Sequence, residues 1–270
     1  MHDQTQLAVQ YEDDRNLQIR IRTHRLYTVG PGIEDAVDTA LNLRGDESLL
    51  DISTGPGHFP GRLRKAGHGG RIVGADFSPG MVEKARAEYP NIEFLQADAQ
   101  DLPFSDDTFD VVTARHMLYH VPSITKALSE AKRVLKPGGR FMALTNANGM
   151  MKEYWVAVRE AVGDDPEFAQ MLGDRLAPPN DHEHLFRLVE ETFGEANLEV
   201  VRSTLEFPSI GPVFDWFDST RTMYPISEKT WQWGRERLEA VLHTYTWPWR
   251  VSKGIALITA NKPLEQLNRR

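Results

Sequence analysis

Three aspartates close three apolar runs, and their placement is the first sign of chemistry in this chain: Asp51 ends LLD, Asp76 ends RIVGAD and Asp98 ends IEFLQAD. A carboxylate at the carboxyl end of a buried strand accepts two hydrogen bonds at once, which places Asp76 to bridge ribose hydroxyls. Asp51 opens into Ser53, Thr54, Gly55, Pro56 and Gly57. This is a tight turn at a helix start, where glycine lets a ligand approach the backbone closely. Pyrophosphate-binding turns read G-x-G-x-x-G, a spacing this turn lacks, and Asp51 would repel a pyrophosphate while attracting an amine or a cation. The pattern predicts a nucleoside-bearing ligand that is not a dinucleotide, so NAD, NADP and FAD are expected not to bind.

Two histidines, His116 and His120, flank Tyr119 just after the run DTFDVVTAR. Imidazole titrates near neutrality, which makes His116 the candidate general base. Asp110, at the start of the same run, reads as structural. Asp181, His182, Glu183 and His184 look like a metal cluster, but only two of them share a helix face, and Asp181 also reads as the N-cap of the helix that follows. No metal is expected.

The elements that must hold these residues follow from periodicity. Residues 1–44 contain two expected helices, Asn16 to Tyr27 and Gly32 to Leu43, the second with Ile33, Ala36, Val37, Ala40 and Leu41 at helical spacing. Residues 45–146 alternate strand and helix, the pattern of a parallel doubly wound sheet. Within them Ser78 followed by Pro79 is a helix start, and RVLKPGGRFMALT is a helix, a Pro-Gly-Gly turn and a strand. Beyond, the pattern predicts helices near Met151 to Val162 and over His182 to Phe193, a Gly- and Pro-rich connection from Gly173 to Asn180, a strand ending at Phe207 and a last strand, GIALITANK.

With 40% hydrophobic and 26% charged residues, the chain has the composition of a globular protein with a substantial core. No window is apolar enough to span a membrane, and the start MHDQTQLAVQYEDDR lacks the features of a signal peptide, so a cytoplasmic protein is expected. The absence of cysteine excludes thiolate nucleophiles, thiolate metal sites and disulfides. A net charge of −8 argues against nucleic acid. The one basic cluster, Arg20, Arg22, His24 and Arg25, reads as the solvated side of a helix.

An acidic residue before a glycine-rich turn, then GADFSPGM, QADAQDLPF and LKPGG in order, resembles the class I S-adenosylmethionine-dependent methyltransferases closely over residues 45–146 and loosely elsewhere. The chain departs from the first motif, acidic residue then G-x-G-x-G, at its first glycine, where Ser53 stands. The resemblance implies an α/β fold: a doubly wound, Rossmann-like, mostly parallel seven-stranded sheet with N-terminal helices and an aromatic-rich helical lid before the last strand. It implies S-adenosyl-L-methionine as cofactor, bound by Asp51, Ser53, Gly55, Gly57, Asp76, Phe77, Met81, Asp98, Ala99, Arg115 and His120, with Asp98 receiving the adenine amino group. It also implies methyl transfer to a small molecule, aromatic or apolar, by direct displacement. The alternatives are other chemistry on the same cofactor site in a natural-product pathway, or cofactor binding without turnover. A homodimer is the assembly considered.

In this scheme residues 1–44 are a helical cap, 45–207 the cofactor-binding core, 208–252 the lid insertion and 253–263 the last core strand, all within one enlarged domain. Five of the six tryptophans fall in the insertion. Two readings of it stand side by side: a helical core, since Trp231, Leu238 and Leu242 have helical spacing, or aromatic walls around the substrate, with Tyr119, Trp216 and Trp231 as contacts.

Overall fold

A computed structural model describes residues 15–178 and 181–264. Helix α1 (Arg15–Tyr27), a two-residue strand β1 (Thr28–Val29) and α2 (Ile33–Leu41) precede the sheet proper. There follow β2 (Leu49–Ile52), α3 (His58–Lys65), β3 (Ile72–Asp76), α4 (Pro79–Glu88), β4 (Glu93–Gln96), β5 (Phe109–Arg115), α5 (Ile124–Val134) and β6 (Leu135–Asn146). The remainder is α6 (Lys152–Val162), α7 (Pro166–Leu176), α8 (His182–Phe193), β7 (Ala196–Phe207), α9 (Ile210–Ser219), α10 (Glu228–Leu242) and β8 (Trp249–Asn261).

The strands form one sheet in the order β1-β7-β8-β6-β5-β2-β3-β4. Strands β2 to β6 are parallel, and β8 runs antiparallel between β6 and β7. The expected seven-stranded sheet is present with β1 added as a short antiparallel edge. Every residue of β2 is buried, as a central parallel strand covered on both faces requires. One face packs Leu50, Val112 and Phe141 against α5 and α8, and the other packs Leu49, Val111 and Met142 under α2, α3 and α4.

Local signals set the boundaries. Ser78 caps α4 by accepting from the Met81 N–H, with Pro79 in the first turn, and Asp181 caps α8 by accepting from the His184 N–H at 2.7 Å. The Pro-Gly-Gly turn survives as a bulge: β5 pairs Phe109 with Leu135, then Val111 with Arg140, and Lys136 to Gly139 loop out between them. One expectation is corrected. Gly173 lies inside α7 rather than in a loop, because Asp165 caps that helix, Pro166 starts it, and Phe168, Met171 and Leu172 bury one face.

Between β6 and the end of the chain lies a second core. Helices α6, α7, α9 and α10 bury Tyr154, Trp155, Phe168, Phe214, Phe217 and Trp231 with Phe207 and Val251 from the β7–β8 hairpin. That hairpin stays paired out to Phe207 and Trp249, roughly 20 Å past the last β6 pair at Asn146 and Ile255. The insertion at its tip therefore stands beyond the carboxyl ends of the parallel strands.

Buried charge ties the opposite rim together. The Glu47 side chain is 1% exposed and pairs with Arg140 at 2.7 Å. Burial pushes its pKa up, but the N–H groups of Arg44 and Gly45 and the Arg140 guanidinium outweigh burial and hold the carboxyl down at about 2. A depressed carboxylate adds stability above its unfolded value and loses it as pH falls through the folded one. Glu47→Gln is therefore expected to lower the urea midpoint at pH 7, with the gap to wild type closing as pH drops toward about 2. A gap that stays constant with pH would show that the charge is not what stabilises this corner.

Candidate functional site

Parallel order puts the ends of β2, β3, β4 and β5 on one rim, and the three aspartates, the glycine turn and the histidine segment lie there. The backbone of the first turn is left-handed at Ser53 (φ 54°), Gly55 (φ 56°) and Gly57 (φ 80°). Serine thus adopts the glycine conformation, at a cost of roughly 1 kcal/mol. A Cβ on Gly55 would meet nothing within 4 Å, so the turn is open above that residue, whereas one on Gly57 would meet the Phe94 ring at 2.8 Å. Gly55 thus serves access, and Gly57 serves the packing of α3 on the sheet.

Asp76 joins the turn to the next strand. Its Oδ2 accepts from the Gly55 N–H at 2.8 Å and its Oδ1 from the Ser78 N–H at 2.9 Å. Each oxygen retains a lone pair for a further donor. Burial pushes this carboxyl up, against the pull of the N–H groups of Ser78 and Gly55. Beside it Phe77 is 49% exposed, an apolar ring left facing outward, while Met81 is buried in the first turn of α4. Asp98 holds the turn after β4, accepting from the Gln100 N–H at 2.9 Å, and Ala99 is buried behind it. Gln100 in turn accepts from the Ser123 N–H at 3.0 Å, which links this turn to the segment carrying the histidines.

Asp51 is 2% exposed. Its Oδ1 accepts from the Thr113 hydroxyl at 2.6 Å, a contact the β2–β5 register makes by placing the two residues opposite one another. Burial pushes its carboxyl up, against the charge of Arg115 and the Thr113 hydrogen bond. Arg115 donates to Glu34 of α2 at 2.6 Å and lies 4.3 Å from the centre of the Phe59 ring. Thr113 and Glu34 are members of the site that periodicity did not single out. Their signal is tertiary: one is a strand neighbour and the other sits on a helix folded over the rim.

His116 follows β5 with a left-handed backbone (φ 54°), and its N–H donates to the Leu144 carbonyl at 2.8 Å. Burial, with Arg115 and Lys253 nearby, lowers its pKa to about 4. Tyr119 and His120 share the short turn Leu118–His120, their rings 4.4 Å apart. Asp110 lies at the other end of β5, bound to Ser48 and to Lys136 at 2.9 Å, and is structural. His182 accepts from the Asn148 N–H at 3.1 Å, and among the described residues no group of three acids or histidines could hold a metal ion.

The two predicted tryptophans part company. Trp216 sits on α9 edge-on to His24 of α1, ring centres 5.1 Å apart, on the side of the aromatic lobe toward the N-terminal helix. Trp231 is 2% exposed, stacked 4.1 Å from Phe217 and 6.0 Å from Phe168, with its indole N–H donating to Asp218. It is an interior residue of the second core. In the basic cluster Arg22 and Arg25 are exposed as expected, but Arg20 turns inward to the Ser219 carbonyl at 2.7 Å.

Comparison with known proteins identifies the family. A family model described as a methyltransferase domain matches residues 50–143. Demethylmenaquinone methyltransferase of Thermus thermophilus is 42% identical over 113 residues, 40% of this chain and 51% of that protein. The ubiquinone/menaquinone biosynthesis C-methyltransferase UbiE of an Enterobacter species is 30% identical over 180 residues, 60% of this chain and 71% of that protein. The chain spans about half the length of several curated relatives it matches (51%, 40% and 45%). The solved YcgJ protein of Bacillus subtilis shares the fold, with a TM-score of 0.56 at 21% identity over 85% of this chain and 97% of that one. With the acids on the rim, the open glycine turn and a relative matched over most of its length, the chain belongs to the class I S-adenosylmethionine-dependent methyltransferase family.

Proposed function

We propose that this protein transfers a methyl group from S-adenosylmethionine to a small aromatic or apolar acceptor. The observation that carries the reading is the shared rim: the acids ending β2, β3 and β4 lie at the end of the sheet over which the β7–β8 hairpin raises its aromatic lobe. The relatives' names, demethylmenaquinone methyltransferase among them, favour a ring-bearing acceptor of the quinol type.

S-adenosylmethionine supplies an activated methyl on a sulfonium, and transfer breaks that carbon–sulfur bond to leave a thioether. The residues of the chain bind and align. Asp76 would accept from the ribose hydroxyls, Asp98 from the adenine amino group beside Ala99, and Phe77 and Met81 would flank the base. The turn from Ser53 to Gly57 with Asp51, Arg115 and His120 would hold the amino-acid end, where the ligand's ammonium would replace the water that burial denies the Asp51 carboxylate. Alignment supplies most of the rate, since displacement needs donor, carbon and acceptor in line. The described part of the N-terminal cap, residues 15–44, and the insertion at 208–252 close the site over the core at 45–207 and 253–263.

His116 is the proton acceptor in this scheme. With a pKa of about 4 its imidazole is already neutral throughout the working range. The rate should therefore show no His116-linked fall between pH 6 and 9 and decline only as pH nears about 4. His116→Ala is expected to lower kcat about a hundredfold with cofactor affinity unchanged. Full kcat in that variant would leave alignment as the sole source of catalysis.

Incubation with methyl-labelled cofactor and a panel of phenolic, amine and fatty acceptors, read by product mass, tests the function itself. Transfer to a phenolic acceptor is expected. Cofactor binding with no transfer to any of the panel would favour other chemistry on the same site. A cytoplasmic homodimer completes the proposal. Ile21, Leu26 and Val29 expose apolar surface along α1 and the β1 edge, a patch a second copy could cover. A monomer mass by light scattering would remove it.

A further inference from the structure

Across the rim from the three aspartates lies a polar corner that the cofactor assignment leaves unused. Lys253 of β8 donates to the Thr28 hydroxyl at 2.8 Å, and that hydroxyl donates to the His24 carbonyl at 2.5 Å. The His24 ring meets Trp216 edge-on. Two buried nitrogens here, His24 Nδ1 and Trp216 Nε1, have no hydrogen-bond partner among the described residues, and Trp216 is itself 7% exposed. An indole N–H is a donor only, so this one is left needing an acceptor.

The charges point the same way. The ionisable groups acting on His24 are Lys253, His116 and Arg20, and those acting on His116 are Arg115 and Lys253, all of them basic. Arg115 is neutralised by Glu34 and Arg20 is engaged with a backbone carbonyl. Among the described residues Lys253 has only a hydroxyl partner, and burial pulls its pKa down. A partly buried ammonium that no described acid reaches, linked through Thr28 and His24 to an indole N–H without a partner, is stabilised by an anion.

We propose that Lys253, with Trp216 and His24, binds an ionised oxygen on an aromatic acceptor, so that the acceptor enters as a phenolate or enolate. The proposal rests on the methyltransferase reading and names the acceptor class for it. Its occupant is distinct from the cofactor's own carboxylate because of position. Strand β8 stands three places from β2 in the sheet order, about 14 Å away, with β6 and β5 between them. The corner therefore faces the residues after β5, where His116 stands, rather than the glycine turn. An acceptor ionised at oxygen and methylated at a ring carbon still has to shed that carbon's proton, which is acidic once the methyl is on, so a base as weak as His116 can take it.

The test uses 2-hydroxy-1,4-naphthoquinone, an enolate at neutral pH, and its neutral methyl ether. Both are titrated by calorimetry into the full chain with and without saturating S-adenosylhomocysteine. Wild type is expected to bind the anion at least about tenfold tighter than the ether, the scale of one hydrogen bond to a charged group. Lys253→Met should erase that preference while leaving the ether's Kd within about twofold, and Lys253→Arg should restore most of it. Both variants should keep the wild-type Tm and S-adenosylhomocysteine affinity. No preference in wild type, or one that survives in Lys253→Met, would overturn the proposal. So would a parallel loss of S-adenosylhomocysteine affinity in Lys253→Met, which would give the corner to the cofactor's carboxylate. A protein that ignores S-adenosylhomocysteine yet prefers the anion through Lys253 would overturn the methyltransferase reading and keep the corner.

Discussion

Trp231→Ala is expected to destabilise the protein by about 3 to 5 kcal/mol, the range for truncating a buried aromatic. The indole is closed in by Phe217 and Phe168 and donates to Asp218, so its removal leaves a cavity and an acceptor without its partner. Helices α7, α9 and α10 all meet at this side chain, and they relax little because each is also pinned elsewhere, as by Glu167 to Ser227 and Arg235 to Asp218. In a thermal melt the loss corresponds to roughly 10 °C in Tm. Below the transition, S-adenosylhomocysteine affinity should stay within about twofold of wild type, because the residue lies away from the acidic rim. Unchanged stability with a raised acceptor KM would instead make Trp231 a wall of the substrate site.

Asp76→Ala should weaken S-adenosylhomocysteine binding by about 1.5 to 3 kcal/mol, the cost of losing hydrogen bonds to a charged group. The same carboxylate fixes the Gly55 and Ser78 N–H groups, so part of the loss comes through a loosened glycine turn. Asp76→Asn separates the two effects. An amide oxygen can still accept from one N–H but cannot accept on both sides, so it should fall between wild type and alanine. Calorimetry on the three proteins reads this directly. Equal affinities would remove Asp76 from the ribose assignment.

The rim was readable because its signals are local. Buried parallel strands are continuous apolar runs, an aspartate ends each of the first two, and Ser78-Pro79 and Asp181 announce helix starts through side chains that cap them. What escaped was tertiary. Thr113 reaches Asp51 only through the β2–β5 register, and Glu34 and His24 arrive on helices whose packing angle no periodicity records. Helix α7 has local signals of the same kind: Asp165, Pro166 and the spacing of Phe168, Met171 and Leu172 outweigh the lone Gly173. Trp216 and Trp231 illustrate the limit most clearly. Both are aromatic residues on helices of one insertion, and only the packing tells which faces the N-terminal helix and which faces the interior.

The fit of one ligand to one rim is tested most directly by a calorimetric titration of wild-type protein with S-adenosylhomocysteine, run beside NAD. It predicts saturable binding at one site per chain and no heat from NAD, whose pyrophosphate meets Asp51 and a turn without the dinucleotide spacing. Absence of S-adenosylhomocysteine binding, or tighter binding of NAD, would contradict it.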